Sequence, residues 1–272
     1  MKNKKQSSRK ELSDLKNPYF DLQAEMGFTK HVGGLKATNE LIELCHIDKD
    51  TYVLDVGCGV GMTACNIAKK IGCRVVGVDI RKEMVARSRD RAKRAGVDDK
   101  VEFRVADVQN LPFEDAVFDA VISESVTAFP DDKRRAVGEY ARVTKPGGYV
   151  GLNETTWIKA KPPEGLVEYL YKAAGGVKPE TSNGWKELLE VSGLREIVVK
   201  TYKITILNQV INEIRQINFI DISKAWYRLL SLYISSPAYR RAIKEMIKDA
   251  RNRPKTKTLL EYWGYGLYVG GK

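Results

Sequence analysis

The chain has 272 residues, 43% hydrophobic and 30% charged, the balance of a globular protein long enough to bury a real core. Its net charge of +11 is uneven: residues 1–16 carry +4, residues 195–257 carry +9 and the remainder −2, so a near-neutral body is flanked by basic segments. No apolar run approaches the ~20 residues of a membrane span, and the four cysteines (Cys45, Cys58, Cys65, Cys73) form no C-x-x-C pair and are joined by two histidines, His31 and His46, so neither zinc nor a disulfide framework is expected and a reducing cytoplasm is.

In chain order, "MKNKKQSSRK" is basic with no apolar stretch behind it, which argues against a secretory signal and for a mobile tail over residues 1–16. Residues 17–47 read as a helical lid in which "NELIELCHI" (39–47) has amphipathic spacing. A regular alternation follows: "YVLDVG" a buried strand, "GMTACNIAKKIG" a helix stopped by Gly72, "CRVVGVD" a second strand, "KEMVARSRDRAKRAG" a helix ended by Gly96, "KVEFRVAD" a third strand and "FDAVISES" a fourth. "DDKRRAVGEYARVT" is helical and closes on the turn "KPGG", and "YVGLNE" is the fifth strand. Two further helices, "PPEGLVEYLYKAAGG" and "SNGWKELLEVSGL", precede a sixth strand, "REIVVKTYKITI". Residues 208–253 read as helical throughout, interrupted near Pro237, and "YGLYVGG" is the last strand. Strands alternating with helices at these lengths imply right-handed crossovers and an α/β, doubly wound, mostly parallel sheet, whose ligands sit at the carboxyl ends of the strands.

The stretch "VLDVGCGVG" places three glycines behind a strand and ahead of a helix, where free N–H groups and missing Cβ atoms let a ligand lie against the main chain. Nicotinamide, flavin and adenosyl cofactors all use such a loop. The residue completing a dinucleotide fingerprint is Met62, too bulky for close packing against a pyrophosphate. Asp79 ends the second strand, where a carboxylate can accept both hydroxyls of a ribose, and Asp107 ends the third, placed to accept from an adenine amino group. With Asp55, three carboxylates around one pocket repel a pyrophosphate and suit a cationic ligand without phosphate.

"VLDVGCGVG", "VVGVD", "VADVQNLPFEDAVFDAV" and "VTKPGGYV", in this order over residues 50–152, resemble the motifs of Rossmann-like, class I S-adenosylmethionine-dependent methyltransferases, in particular the small-molecule branch with ubiquinone/menaquinone-biosynthesis and sterol or phosphoethanolamine enzymes. The resemblance implies a seven-stranded sheet with an antiparallel last strand, S-adenosylmethionine as cofactor and methyl transfer as the activity. It also implies that Gly57, Cys58 and Gly59 touch the amino-acid part of the cofactor, Asp79 the ribose, Ile80 the adenine face, and Asp107 with the Val108 N–H the adenine edge. Glu124 and Ser125 would lie near the sulfonium, and Asp55 would order the loop by accepting its N–H groups.

Methyl transfer from a sulfonium needs mainly alignment and exclusion of water, and a general base only where the acceptor must lose a proton. Glu124 is the leading base candidate, with His31 in the lid as the second; each has a structural alternative. Glu154, Trp157 and, in the segment before the last strand, Trp226 are candidates for substrate contact. Because the sixth strand is parallel, residues 208–257 must emerge on the cofactor face, and a helical cap is expected there, leaving the methyltransferase core at 48–207 and 258–272. Its aromatics, among them Phe219, Tyr227 and Tyr233, and its basic residues fit a lipid-like or aromatic acceptor, an anionic one, or peripheral contact with an anionic membrane. RNA methylation, with the basic cap and tail holding phosphates, is the alternative. Against it, the fourth strand ends in "SESVTAF", without the Asn/Asp-Pro-Pro-aromatic motif of amino-group DNA and RNA methylases.

Overall fold

The structure is a computed structural model that describes residues 18–26, 31–204, 219–251 and 253–272. The tail expected over residues 1–16 lies outside the described residues, as do parts of the expected lid (17 and 27–30) and of the expected cap (208–218 and 252).

The elements run α1 (Pro18–Met26), α2 (Gly34–Leu44), β1 (Tyr52–Val56), α3 (Met62–Lys70), β2 (Arg74–Asp79), α4 (Lys82–Ala95), β3 (Val101–Val105), β4 (Phe118–Glu124), α5 (Lys133–Val143), β5 (Thr144–Trp157), α6 (Glu164–Ala173), β6 (Glu180–Thr181), α7 (Ser182–Val191), β7 (Arg195–Lys203), α8 (Phe219–Ser235), α9 (Pro237–Arg251), α10 (Thr256–Tyr262) and β8 (Trp263–Gly271). They form one sheet in the order β3-β2-β1-β4-β5-β8-β7, with β6 added beside β5. Pairing is parallel from β3 through β5, and β8 lies antiparallel between β5 and β7. Consequently β7 runs parallel to β5, and β1, β2, β4, β5 and β7 all end at the same edge.

Neighbouring residues of a strand face opposite ways, and here both faces are apolar. Val53, Val75 and Ile122 join Leu41, Ile67 and Phe103 on the face covered by α2, α3 and α4. Leu54, Val76 and Val121 join Tyr140, Leu166 and Trp185 on the face covered by α5, α6 and α7. The alternation seen in the sequence is therefore a doubly wound sheet. Three local differences have simple causes. The "KPGG" turn lies inside β5 as a register shift with Gly147 at φ 79°, α2 begins earlier, at Gly34, after a left-handed Gly33, and the two-residue β6 extends the sheet to eight strands.

Between β7 and β8, α8 and α9 pack Leu232, Ala238, Tyr239 and Ala242 around Leu22 of α1. Arg228 of α8 donates to Glu25 Oε2 at 2.7 Å, and Arg240 of α9 donates to the carbonyls of Tyr233 and Ile234, which end α8 without intrahelical donors. On α8, Ala225 and Leu232 are seven residues apart, two turns along one face, and both are buried. Trp226, Leu230 and Ile234 share the face rotated from it and stay exposed. Arg81, at the start of α4, donates to Asp21 at 2.8 Å, so α1 is clamped between α4 and the inserted helices.

Two glycines in the left-handed region separate backbone strain from crowding. A Cβ on Gly96 (φ 65°) would meet no atom within 4 Å, whereas on Gly57 (φ 70°) it would overlap the Val126 side chain. Gly96→Ala should cost about 1 kcal/mol and Gly57→Ala roughly 2–4 kcal/mol, read by urea denaturation; equal costs would show that the loop can move off Val126.

Candidate functional site

At the shared edge of the strands, a cavity of about 880 Å³ is lined by the β1–α3 glycine loop, the ends of β2, β4, β5 and β7, the start of β8, and by α1 and α2. One wall is acidic: Asp55, Asp79, Asp107 and Glu124 all line it. Arg81 also lines the cavity, but its guanidinium is occupied by Asp21. Beside Asp79, Ile80 leaves 64% of its surface exposed in the cavity, an apolar platform next to a carboxylate.

The carboxylates divide their work. Asp79 Oδ2 accepts the Gly59 N–H at 3.0 Å and its Oδ1 the Arg81 N–H at 2.9 Å, holding the glycine loop onto β2. Asp55 was expected to order that loop; instead it takes the Ala64 amide at the start of α3, while its Oδ2 is buried without a partner. Burial, with Glu124 and Asp79 as negative neighbours, pushes the Asp55 carboxyl up to about 8. Burial also raises Asp79, against the pull of its two amide donors and Arg81. Asp107 Oδ1 accepts the Gln109 N–H at 2.9 Å, an Asx turn that still leaves the residue on the cavity wall. Cys58 is a buried thiol raised well above its ordinary range by burial and by Asp55, so it is packing in the loop and no nucleophile.

Glu124, at the end of β4, is a junction. Its Oε1 accepts from Thr38 at 2.9 Å and Asn153 Nδ2 at 3.2 Å, and its Oε2 from Thr63 at 2.8 Å. His31 Nδ1 stands 3.4 Å from the same Oε1. Asn153 also donates to the Val32 carbonyl at 2.9 Å, and the Val32 N–H donates to Ser125 Oγ at 3.1 Å. Ser125 adopts φ 58°, a left-handed conformation that non-glycine residues take rarely. The next residue on β5 faces the other way, as strand geometry requires. Glu154 Oε1 accepts the N–H groups of Val126 at 2.9 Å and Thr127 at 2.6 Å, pinning the loop after β4, and its Oε2 is buried without a partner. Burial pushes this carboxyl up to about 7.

A profile described as "Methyltransferase domain" matches residues 54–152. An uncharacterized protein of Haemophilus influenzae is 34% identical over 189 residues, 68% of this chain and 75% of that one. The sterol 24-C-methyltransferase of Eremothecium gossypii is 38% identical over 112 residues, 41% of this chain and only 30% of that enzyme. Among solved structures, phosphoethanolamine N-methyltransferase 2 of Haemonchus contortus, in complex with phosphomonomethylethanolamine and S-adenosylhomocysteine, superposes with a TM-score of 0.68 at 19% identity, covering 98% of this chain and 59% of that one. The chain belongs to the class I S-adenosylmethionine-dependent methyltransferases.

The methyltransferase's cavity fits that cofactor on its own geometry. Four acidic residues on the lining, with the Arg81 guanidinium already held by Asp21, favour a positively charged ligand and oppose a pyrophosphate. The crowding at Gly57, where no Cβ has room, lets main chain form the cradle, and the exposed Ile80 offers a face for a flat ring. Two of the relatives named above, the sterol and phosphoethanolamine methyltransferases, are named for small-molecule acceptors, and the RNA alternative finds no support in them.

Of the residues singled out from the sequence, Asp55, Gly57, Cys58, Gly59, Asp79, Ile80, Asp107, Val108, Glu124, Ser125, His31 and Glu154 all line the one cavity. Two do not. Trp157 is buried in the apolar cluster of Leu166, Leu170 and Trp185. Trp226 is 65% exposed on the outer face of α8, because Ala225 and Leu232 claim the face turned to α1. No described residue of α8 or α9 lines the cavity; these helices reach it through α1, whose Tyr19, Phe20 and Gln23 do. Thr38, Thr63 and Asn153 were missed. Asn153 sits at a strand end and was findable by that rule, whereas the two threonines required the packing of α2 and α3. Among the described residues no group of three His, Cys, Asp or Glu side chains is placed to hold a metal ion, and no helix is long and apolar enough to cross a membrane.

Raised carboxyls fix a sign for pH dependence. The unfolded chain ionises Asp55 and Glu154 near 3.8 and 4.5, but the fold holds their protons to about 8 and about 7. Between these values the unfolded state binds fewer protons, so the stability of the cofactor-free methyltransferase should fall as pH rises from about 4 to about 8. Asp55→Asn should flatten that fall in denaturation curves taken across the range; an unchanged slope would place the burden elsewhere.

Proposed function

We propose that the methyltransferase transfers a methyl group to a small, lipid-like or aromatic molecule held in the same cavity as its cofactor. The observation behind this is the continuity of one cavity from the acidic wall to a wall of Tyr19, Phe20, Phe129, Val177, Trp263 and Tyr265, which suits a sizeable apolar body. In this reading Asp79 binds the ribose hydroxyls, and Ile80, Asp107 and the Val108 N–H take the adenine. Gly57, Cys58 and Gly59 receive the amino-acid moiety, and Glu124 with Ser125 borders the reacting methyl. Bound there, S-adenosylmethionine supplies a methyl group already activated by a cationic sulfur.

The residues of the chain then provide alignment, dryness and, where needed, proton acceptance. Glu124 accepts from Thr38, Thr63 and Asn153, so its lone pairs are engaged and it serves best as a fixed carboxylate that orients His31. His31, with its side chain 11% exposed beside the cavity, is the better acceptor for a proton leaving the substrate. Glu154 holds the Val126–Thr127 loop against the cofactor, and contact with substrate would fall to its free oxygen.

Asp79→Ala removes two charge-assisted hydrogen bonds to a ribose, each worth about 1.5–3 kcal/mol, so S-adenosylhomocysteine should bind about 10²-fold or more weakly in calorimetry. The unaltered chain, incubated with methyl-labelled cofactor and cell extract, should label a small organic product. Unchanged affinity in the variant would overturn the assignment of Asp79, and label recovered in RNA would overturn the acceptor class.

A lipid-like acceptor is compatible with work at a membrane surface. Trp226, Tyr227, Leu230 and Ile234 stand exposed on α8 within a segment of charge +9, the combination that rests on anionic lipid. Sedimentation with phosphatidylserine vesicles should carry the chain down, phosphatidylcholine vesicles should not, and a Trp226→Ala, Leu230→Ala double variant should remain in solution; retention by neither vesicle ends this reading.

A further inference from the structure

His31 sits where the N-terminal segment meets the tip of β4. The next residue, Val32, donates its N–H to Ser125 Oγ at 3.1 Å, and its carbonyl accepts from Asn153 Nδ2 at 2.9 Å. These two bonds hold the His31 ring beside the end of that strand, on the cavity lining and 11% exposed. A neutral imidazole carries one ring proton, and its neighbours decide which nitrogen holds it.

Nδ1 faces Glu124 Oε1 and the Val32 carbonyl, each at 3.4 Å. Both are acceptors, since Thr38, Thr63 and Asn153 all donate to the Glu124 carboxylate. The third neighbour of Nδ1 is Asn153 Nδ2 at 3.5 Å, whose two hydrogens go to the Val32 carbonyl and, at 3.2 Å, to Glu124 Oε1. Turning that amide over would aim its oxygen at two acceptors, so its orientation is fixed. No hydrogen is left for Nδ1 to accept, and Nδ1 therefore carries the ring proton. On the other side of the ring, Nε2 has one polar neighbour among the described residues, the Thr38 hydroxyl at 3.4 Å. The single hydrogen of that hydroxyl is directed to Glu124 Oε1 at 2.9 Å, its shortest contact. In the neutral ring Nε2 is thus a lone pair without a protein donor, while Glu124 orients the ring from behind.

We propose that the methyl acceptor presents a hydroxyl group and that His31 Nε2 takes its proton, so that the methyl group ends on oxygen. The proposal rests on the methyltransferase reading of the cavity and adds the identity of the acceptor atom. An alcohol or phenol is a poor nucleophile until its proton leaves, whereas a neutral amine or an alkene already carries its attacking electrons. An unengaged Nε2 beside Ser125, where this reading places the methyl, serves the first and is idle during attack by the others. The hydroxyl proton passes to Nε2 as an oxygen lone pair forms the O–CH3 bond. The C–S bond breaks with its electron pair staying on sulfur, which becomes the neutral thioether of S-adenosylhomocysteine. The imidazolium so formed faces the Glu124 carboxylate and then returns its proton to water.

The test begins with the ring itself. His31 and His46 are the two histidines of the sequence, so long-range proton–nitrogen NMR of the isotope-labelled full chain shows two ring systems, assigned with His31→Gln. In the unaltered chain saturated with S-adenosylhomocysteine, the neutral His31 ring should carry its hydrogen on Nδ1; a hydrogen on Nε2 overturns the proposal. The chain is then incubated with S-adenosylmethionine labelled at the methyl carbon and the organic-soluble fraction of a cell extract. The labelled carbon of the product should show the chemical shift of a methyl group on oxygen, and one on nitrogen or carbon overturns the acceptor class. His31→Gln should slow labelling about 10²–10⁴-fold while its affinity for S-adenosylhomocysteine stays unchanged, and an unchanged rate overturns the role of the ring. Failure of the unaltered chain to bind S-adenosylhomocysteine would instead sink the methyltransferase reading of the cavity, so the two failures are distinguishable.

Discussion

Like charges brought together in a poorly hydrated space repel, and four carboxyl-bearing residues of this chain end up on one cavity wall. The fold tolerates them by three different devices. Asp79 is neutralised in part by two backbone amides, Glu124 by three side-chain donors, and Asp55 by keeping its proton. A cation entering this wall replaces those devices with a direct counter-charge. With S-adenosylmethionine bound here as proposed, the wall would gain more from the cationic donor than from its demethylated product.

The N-terminal segment is tied to the same charges. Thr38 and His31 converge on Glu124, Val32 reaches Ser125 and Asn153, and Asp21 holds Arg81. Each contact joins a residue before the sheet to one at a strand end, so α1 and α2 are positioned by the polar machinery of the site as well as by apolar packing. The inserted helices add a second layer, since α8 and α9 lean on α1 through Leu22 and Glu25. Their influence on the cavity passes through Tyr19, Phe20 and Gln23 of α1, and a cap that touches substrate directly is not what the described residues of α8 and α9 form.

What could be read from the chain follows from the range of the forces involved. Strand–helix alternation, helix stops at Gly72 and Gly96, and the positions of Asp79, Asp107 and Glu124 at strand ends are local or set by the rule that ligands lie at carboxyl ends. They were legible. The exchange of partners between Asp55 and Asp79 was not, because which carboxylate reaches the Gly59 amide depends on the approach of β2 to the loop after β1. Trp226 illustrates a second limit: one residue of shift on a helix turns a side chain by about 100°, and hydrophobicity alone cannot say whether Ala225 or Trp226 faces inward.

The antiparallel insertion of β8 beside β7 gives one sheet edge two kinds of side chain. β1, β2 and β4 are consecutive neighbours in the sheet and carry Asp55, Asp79 and Glu124 at or next to their ends, whereas β8 and β7 lie beyond β5 and bring tyrosine and lysine to the same edge. β5 is the boundary, with Asn153 turned to the Glu124 junction and Glu154 to the loop after β4. On the reading proposed above, the acidic half would set the methyl donor and the late strands the acceptor.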